Sequence, residues 1–290
     1  MSKRNLGAYV SCAGGLQNIL IRGDFLNINT VMTHPAPPQK WNSQPFKPET
    51  VQMYLDKKVK GTLVEKVYFH GIYLVNLANP DNQKFHLSKI SLVNHMDLLN
   101  DINGDGVIFH TGTFKDQLTD EAGYERINYG INWIFENLKQ QPTGKKFLLE
   151  CAAGAGGKVV GDKFEELKII FKALPKDIQS KVGFCLDTQH MFSSGYDIVN
   201  DLDGVVRQIE DILGLENVVA VHFNDSKTDF ASNKDRHENL GVEGKIGEVA
   251  MKAFLNHPKL KHLDFMLETP SLDDKDGSKH QIELLKAWAE

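Results

Sequence analysis

Six short apolar runs along the chain each close on an ionisable residue. They are Val67-Tyr68-Phe69-His70, Val107-Ile108-Phe109-His110, Phe147-Leu148-Leu149-Glu150, Gly183-Phe184-Cys185-Leu186-Asp187, Val218-Val219-Ala220-Val221-His222 and Phe265-Met266-Leu267-Glu268. The closing residues fall 35 to 46 positions apart, room for one strand, one helix and two loops. Uninterrupted apolar runs, rather than alternating ones, suit parallel strands covered on both faces. Two further runs precede them, Leu6–Cys12 and a weaker one at Ile28–Thr33. Between the runs, apolar residues recur every three or four positions, the period of an amphipathic helix. Phe164, Leu167, Ile170, Phe171 and Leu174 follow Asp162, which is expected to cap their helix. Leu202 to Leu213 repeats in the same way and stops before Gly214, while Tyr129-Trp133-Ile134-Leu138 and Ile282-Leu285-Trp288 are shorter examples. Eight strands alternating with helices predict an α/β fold, a single-domain (β/α)8 TIM barrel over residues 1–290.

In such barrels the C-terminal strand ends form the active-site face. One polar residue ending a strand is usually just the start of a loop; six in succession, all His, Asp or Glu, point to a shared metal site. The loop after Val218–His222 adds Asp235 and His237, which face the same way in an extended segment. With His190, three positions beyond Asp187, the candidate set is His70, His110, Glu150, Asp187, His190, His222, Asp235, His237 and Glu268. His and carboxylate donors without cysteine suit Zn2+ in a catalytic role, or Mn2+ or Fe2+. Nine donors exceed the needs of one ion. A bridging carboxylate lets them serve two or three, an arrangement suited to phosphate-ester hydrolysis. The other histidines, His34, His86, His95, His257, His262 and His280, end no strong strand and read as surface or loop residues.

Composition narrows the context. A formal charge of −5 argues against a simple electrostatic nucleic-acid binder. No apolar run approaches the roughly 18–20 residues of a membrane span, and the N-terminal MSKRNLGAYVSCAGG runs into a strand rather than a secretory leader. Three cysteines, Cys12, Cys151 and Cys185, in no ligand-like spacing favour a reducing compartment. A cytoplasmic protein without membrane attachment is expected.

The stretches AYVSCAGG (8–15), HGIYLVNLANP (70–80), FHTG (109–112), LLECAAGAG (148–156), CLDTQHMFSSGYD (185–197), VHFNDSK (221–227), DRHENLG (235–241) and LETP (267–270) together resemble endonuclease IV. That family comprises zinc-dependent apurinic/apyrimidinic endonucleases on a (β/α)8 barrel. The resemblance is collinear from residue 7 to about 270, and CLDTQH with HFNDSK and DRH is its most specific part. It implies three Zn2+ ions, with Mn2+ an alternative at one position. His70, His110 and Glu150 would hold the first; Glu150, Asp187, His222 and Glu268 the second; His190, Asp235 and His237 the third. It also implies hydrolysis of the phosphodiester 5′ to an abasic deoxyribose in double-stranded DNA, leaving a 3′-hydroxyl. Glu150 would be catalytic, and the protein is expected to act as a monomer. Three Zn2+ would turn the formal −5 to roughly +1 at the rim. Lys40, Lys115, Lys158, Lys227, Lys234 and Arg236 are candidate phosphate contacts, Lys227 and Arg236 foremost because they flank ligands.

Abasic-site enzymes expose the lesion by inserting side chains into the base stack. The Tyr-Leu pair that the family uses is matched by Tyr73-Leu74. The family's Asn-Pro-Arg-x-Trp loop is replaced by Pro37-Pro38-Gln39-Lys40-Trp41, which keeps the Trp and puts Gln39 at the Arg position. Tyr9 stands where the family has the His of His-Val-Ser, and Leu240-Gly241-Val242-Glu243-Gly244 is one residue longer than the usual Leu-Gly-x-Gly. Two alternatives follow: a sugar isomerase or epimerase on the related barrel, with one or two metals, and a non-catalytic abasic-DNA-binding relative.

Overall fold

The computed structural model describes residues 4–42, 44–114, 118–155 and 157–289. Eight parallel strands close into a barrel: β1 Leu6–Tyr9, β2 Thr30–Thr33, β3 Lys66–His70, β4 Gly106–His110, β5 Phe147–Glu150, β6 Val182–Asp187, β7 Val218–His222 and β8 Asp264–Leu267. Each strand pairs with its sequence neighbours, and β8 closes on β1. Helices α1 Asn18–Leu26, α2 Pro48–Val59, α3 Asn82–Asp101, α4 Asp120–Asn137, α5 Phe164–Ala173, α6 Leu202–Gln208, α7 Glu248–Asn256 and α8 Lys275–Trp288 form the outer layer. No described helix is long and apolar enough to cross a membrane.

The alternation of side chains along each strand explains where the chemistry lands. Met32, Tyr68, Ile108, Leu148, Cys185, Ala220 and Met266 form a separate buried cluster inside the barrel. Two residues further along each strand path, the period that returns to the same face, lie His34, His70, His110, Glu150, Asp187, His222 and Glu268. The interior layer of apolar side chains is therefore a floor, and the ionisable residues are the next layer above it. The intervening residues, such as Phe69, Phe109, Leu149, Val221 and Leu267, point outward into the larger core under the helices.

Register keeps that ionisable layer level. His110 lies beside Glu150 across β4 and β5, and Asp187 beside His222 across β6 and β7. The second pairing depends on a bulge: Phe184 pairs with Val218 but Cys185 with Ala220, which leaves Val219 as the extra residue. A bulge shifts all later pairing by one position. Without it, Asp187 would stand beside Val221.

Several boundaries differ from the sequence reading. β1 stops at Tyr9 and β2 starts at Thr30, because the flanking residues turn into loops. Asp162 does not cap α5. Lys163 occupies the cap position with no side-chain bond, one residue nearer the helix than expected. Tyr129 is mostly exposed on α4, whose buried stripe runs instead through Ile127, Ile131 and Ile134. The α6 repeat does end at Gly214, after a π turn over Ile209–Leu213, and Gly214 takes the positive φ of 78° that ends it. His34 and His95, read as surface residues, are buried. His34 follows the inward phase of β2, and His95 faces inward from α3.

Gly7 marks the tightest approach in the barrel wall: a Cβ there would sit 1.7 Å from the Thr30 carbonyl oxygen. Backbone cannot yield as a flexible side chain can. Gly7→Ala is expected to destabilise the protein by at least about 3 kcal/mol in a denaturant titration, whereas Gly61→Ala meets no atom and should cost only the backbone strain of its positive φ of 97°, about 1–2 kcal/mol.

Candidate metal centre

Glu150 ends β5 with no exposure to solvent, and imidazoles surround its carboxylate. Oε2 lies 3.1 Å from His70 Nε2 and 3.5 Å from His110 Nε2. Oε1 lies 2.8 Å from His222 Nδ1 and 3.6 Å from His190 Nδ1. Glu268, one residue beyond the end of β8, brings a carboxylate oxygen to 3.0 Å from His222 Nδ1. Asp187 Oδ2 stands 4.0 Å from the same nitrogen.

Two local devices add the remaining donors. Asp187 accepts a hydrogen bond of 2.9 Å from the His190 N–H and so starts the short helix Thr188–Ser193. That turn points His190 into the site. The long excursion after β7 is folded back by an antiparallel pair, Asp225–Ser226 against His237–Glu238. Buried Asp225 secures it by accepting from the Ser226, Ile246 and Gly247 N–H groups at 2.6, 3.0 and 3.2 Å. The fold-back places Asp235 Oδ1 at 3.5 Å from His190 Nε2 and 3.4 Å from His237 Nε2. The two Nε2 atoms are themselves 3.5 Å apart. His237 Nε2 is also 3.6 Å from Asp187 Oδ2. All nine candidate side chains thus meet in one continuous cluster, and four subsets of it are compact enough to hold an ion.

The protonation pattern tests whether a metal suits these donors. His70, His190 and His237 each direct Nδ1 at a backbone carbonyl, those of Gly71, Cys151 and Glu268, at 2.8, 2.9 and 3.2 Å. A carbonyl only accepts, so the proton sits on Nδ1 and Nε2 presents its lone pair to the cluster. At the His190–Asp235–His237 corner three acceptors then face one another, which requires a cation between them. Edges of 3.4–3.5 Å match the roughly 3.4 Å between donors that share a tetrahedral centre about 2.1 Å away. The donor set fits Zn2+.

Without metal, protons supply the missing positive charge. Burial would raise the Glu150 pKa, but His110, His222 and His70 hold it well below the usual range. Burial opposes ionisation of Glu268 as well, yet His222 and His70 depress it to about 2. Asp235 follows the same pattern, with burial outweighed by His190 and His237, which lower it. Burial would depress His190 and His222, yet both are raised well above the ordinary imidazole value. Asp187 and Asp235 outweigh it at His190, and Cys185, Glu268 and Glu150 at His222. His110 goes the other way, because burial outweighs Glu150.

The other sequence candidates lie around this cluster. Tyr73 and Leu74 are exposed on the loop after β3. With Trp41, His110 and Asp235 they line a cavity of about 470 Å3. Gln39 and Lys40 are exposed on the turn before Trp41, and the Pro38 carbonyl accepts from Tyr73 N–H at 3.0 Å. Lys227 and Arg236 line a cavity of about 400 Å3 whose floor is His70, His110, His190, Asp235, His237 and Glu268. Lys158 lies 3.5 Å from Asp120, Lys234 is exposed, and Lys115 falls outside the described residues. The sequence reading missed His34, which touches His70, Tyr9 and Tyr73. Its signal was the Met32-x-His34 spacing, in phase with Tyr68-x-His70 and Ile108-x-His110.

Fold and site together define a (β/α)8 barrel with a His/carboxylate cluster able to hold metal at its C-terminal mouth. The sequence profile of the xylose isomerase-like TIM barrel family matches residues 26–288. Among its relatives, the chain is 34% identical to a probable endonuclease 4 of Methanosphaera stadtmanae, over 97% of this chain and 98% of that protein. It is 32% identical to apurinic-apyrimidinic endonuclease 1 of Plasmodium berghei, over 97% of this chain and 54% of that protein. The crystal structure of endonuclease IV from Thermus thermophilus superposes with a TM-score of 0.85 at 27% identity, covering 98% of both chains. A D-tagatose 3-epimerase-like protein shares the fold at 15% identity and a TM-score of 0.69. The chain belongs to the endonuclease IV family.

The opposed pKa shifts set a pH window for the metal-free protein. Depressed carboxylates stabilise above their unfolded value, 4.5 for Glu, and lose that contribution as pH falls through the folded value. The raised imidazoles stabilise fully below 6.5 and lose that contribution as pH climbs through their folded values. Chelator-treated protein should therefore melt highest between these two limits and lower at pH 8. Zinc, which competes with those protons, should raise the melting temperature most at pH 8. Calorimetry with and without zinc at pH 5.5 and 8 checks both statements.

Proposed function

We propose that this protein is a zinc-dependent DNA-repair endonuclease that hydrolyses the phosphodiester 5′ to abasic sites in duplex DNA and leaves a 3′-hydroxyl. Membership of the endonuclease IV family supports the reaction class. The observation that supports the reading is the triangle of His190, Asp235 and His237, with edges of 3.4–3.5 Å, in the same cavity as exposed Tyr73. A sugar isomerase with one or two metals has no use for that group, and the likeness to an epimerase-like protein extends to the fold alone.

Glu150 is the central residue of the proposal. Its two oxygens face different imidazoles, His70 and His110 on one side, His222 and His190 on the other, so it can serve two positions at once. We assign His70, His110 and Glu150 to one ion, Glu150, Asp187, His222 and Glu268 to a second, and His190, Asp235 and His237 to a third. Divalent zinc held there would activate water and offset the charge of the scissile phosphate and leaving oxygen. Asn224 steadies the second group by donating to Asp187 Oδ2 at 2.8 Å, while its own amide oxygen accepts from the Glu268 N–H at 2.8 Å. Lys227 and Arg236, at the rim of the same cavity, are placed to hold phosphates on either side. Tyr73 and Leu74 would fill the space left in the base stack, with Trp41 at their side and Gln39 and Lys40 on the adjoining turn.

The direct test is nicking of a duplex that carries one abasic site. Zinc-loaded protein should cut on the 5′ side, Glu150→Gln should fall to background, and intact DNA with the wild type would sink the proposal. Gln39→Arg should leave the cleavage rate alone and tighten binding. It should also steepen the dependence of log K on log salt by about 0.9, the signature of one added phosphate contact.

A further inference from the structure

We propose that His34 is a positioning residue that couples Tyr73, on the DNA-facing rim, to His70 in the metal centre. Its Tyr73 half rests on the abasic-DNA reading above; its His70 half does not. His34 continues the inward phase of β2, one layer above Met32, and is 6% exposed. It occupies the same layer as the metal-site residues yet belongs to none of the compact donor groups.

Its contacts run in three directions. Nδ1 lies 3.2 Å from the His70 carbonyl oxygen, which can only accept, so the ring carries its proton there. The ring meets His70 edge-on at 5.1 Å and Tyr73 edge-on at 5.0 Å. Tyr9 approaches at 5.6 Å from β1, and Cys12 Sγ lies 3.1 Å from the His34 carbonyl. Strand β1, the end of β3 and the loop after β3 therefore converge on this one ring.

A buried ring between a metal-site imidazole and an exposed tyrosine can transmit position in both directions. Edge-to-face contact fixes the tilt of Tyr73, while the Nδ1–H bond holds the β3 end and with it the His70 ring. These two tasks use different parts of the side chain and can be separated.

His34→Asn keeps a donor near the His70 carbonyl and removes the ring. His34→Phe keeps a ring and removes the donor. For His34→Asn we expect KM on an abasic duplex to rise roughly two- to tenfold, with kcat and zinc retention against a chelator unchanged. For His34→Phe we expect KM to hold and zinc retention to weaken by roughly tenfold. Adding His34→Asn to Tyr73→Ala should raise KM no further, because both changes break one link. The proposal is overturned if both variants match the wild type in KM and zinc retention. It is equally overturned if both lose the two properties in parallel and combine additively with Tyr73→Ala, the pattern of general destabilisation. His34→Gln, which can place its amide differently but also lacks the ring, replaces the Asn variant should that fail to fold. Zinc retention needs no substrate, so failure of the wild type to nick abasic DNA removes the functional reading and leaves the His70 link decided on its own.

Discussion

A carboxylate with no access to water sits among histidines at the mouth of a barrel, and the molecule around it is arranged to tolerate that. Removing the Glu150 charge from solvent is costly unless opposite charge and hydrogen-bond donors surround it. The β4, β5, β6 and β7 strands supply the surroundings because they are parallel, in register and alternating. Each puts an apolar residue into the barrel floor and an ionisable one directly above. The bulge at Val219 belongs to the same requirement, since it brings Asp187 level with His222. Protons can balance the cluster in acid; bound cations would balance it over the neutral range, and four subsets of the donors are compact enough to hold one.

The barrel wall supplies only part of the centre. His190, Asp235 and His237 come from two local structures grafted onto strand ends, one a helical turn started by Asp187 and the other a fold-back secured by Asp225. Met191 and Phe192 anchor the helical turn in the core, and hydrogen bonds tie the two structures together: Ser193 Oγ and Gln189 Nε2 bond the Lys234 carbonyl at 2.7 and 2.9 Å. The third donor group can thus be present on one barrel and absent on another with no change to the strands. The likeness to a D-tagatose 3-epimerase-like protein extends to the fold, and these three donors lie outside the strands, on segments 188–193 and 223–247.

Strand order and the site layer were legible in the sequence because one physical signal, an apolar run closing on a ligand-type residue, recurs with each strand of β3 to β8. The same signal failed at β2, where the short run Thr30–Thr33 contains two threonines and hides the inward phase that leads to His34. His95 was missed for a different reason: it ends no strand, yet at helical spacing it shares the buried face of α3 with Leu92 and Leu99, and Phe46 packs against it. The Asp162 cap was misplaced by one residue, within the usual fuzziness of helix ends. The division of Asp187 and His190 between neighbouring donor groups came from the family resemblance; the structure also brings both together with His237 in one compact group.

On the proposed function, the His190–Asp235–His237 corner is a metal position that DNA cleavage requires. Elemental zinc analysis of wild type and of His237→Ala, run beside nicking of the same abasic duplex, tests it most directly. About three zinc ions per chain are predicted in the wild type and about two in the variant, with nicking lost. Unchanged zinc content in the variant, or full nicking by a chain that holds one zinc, would contradict it.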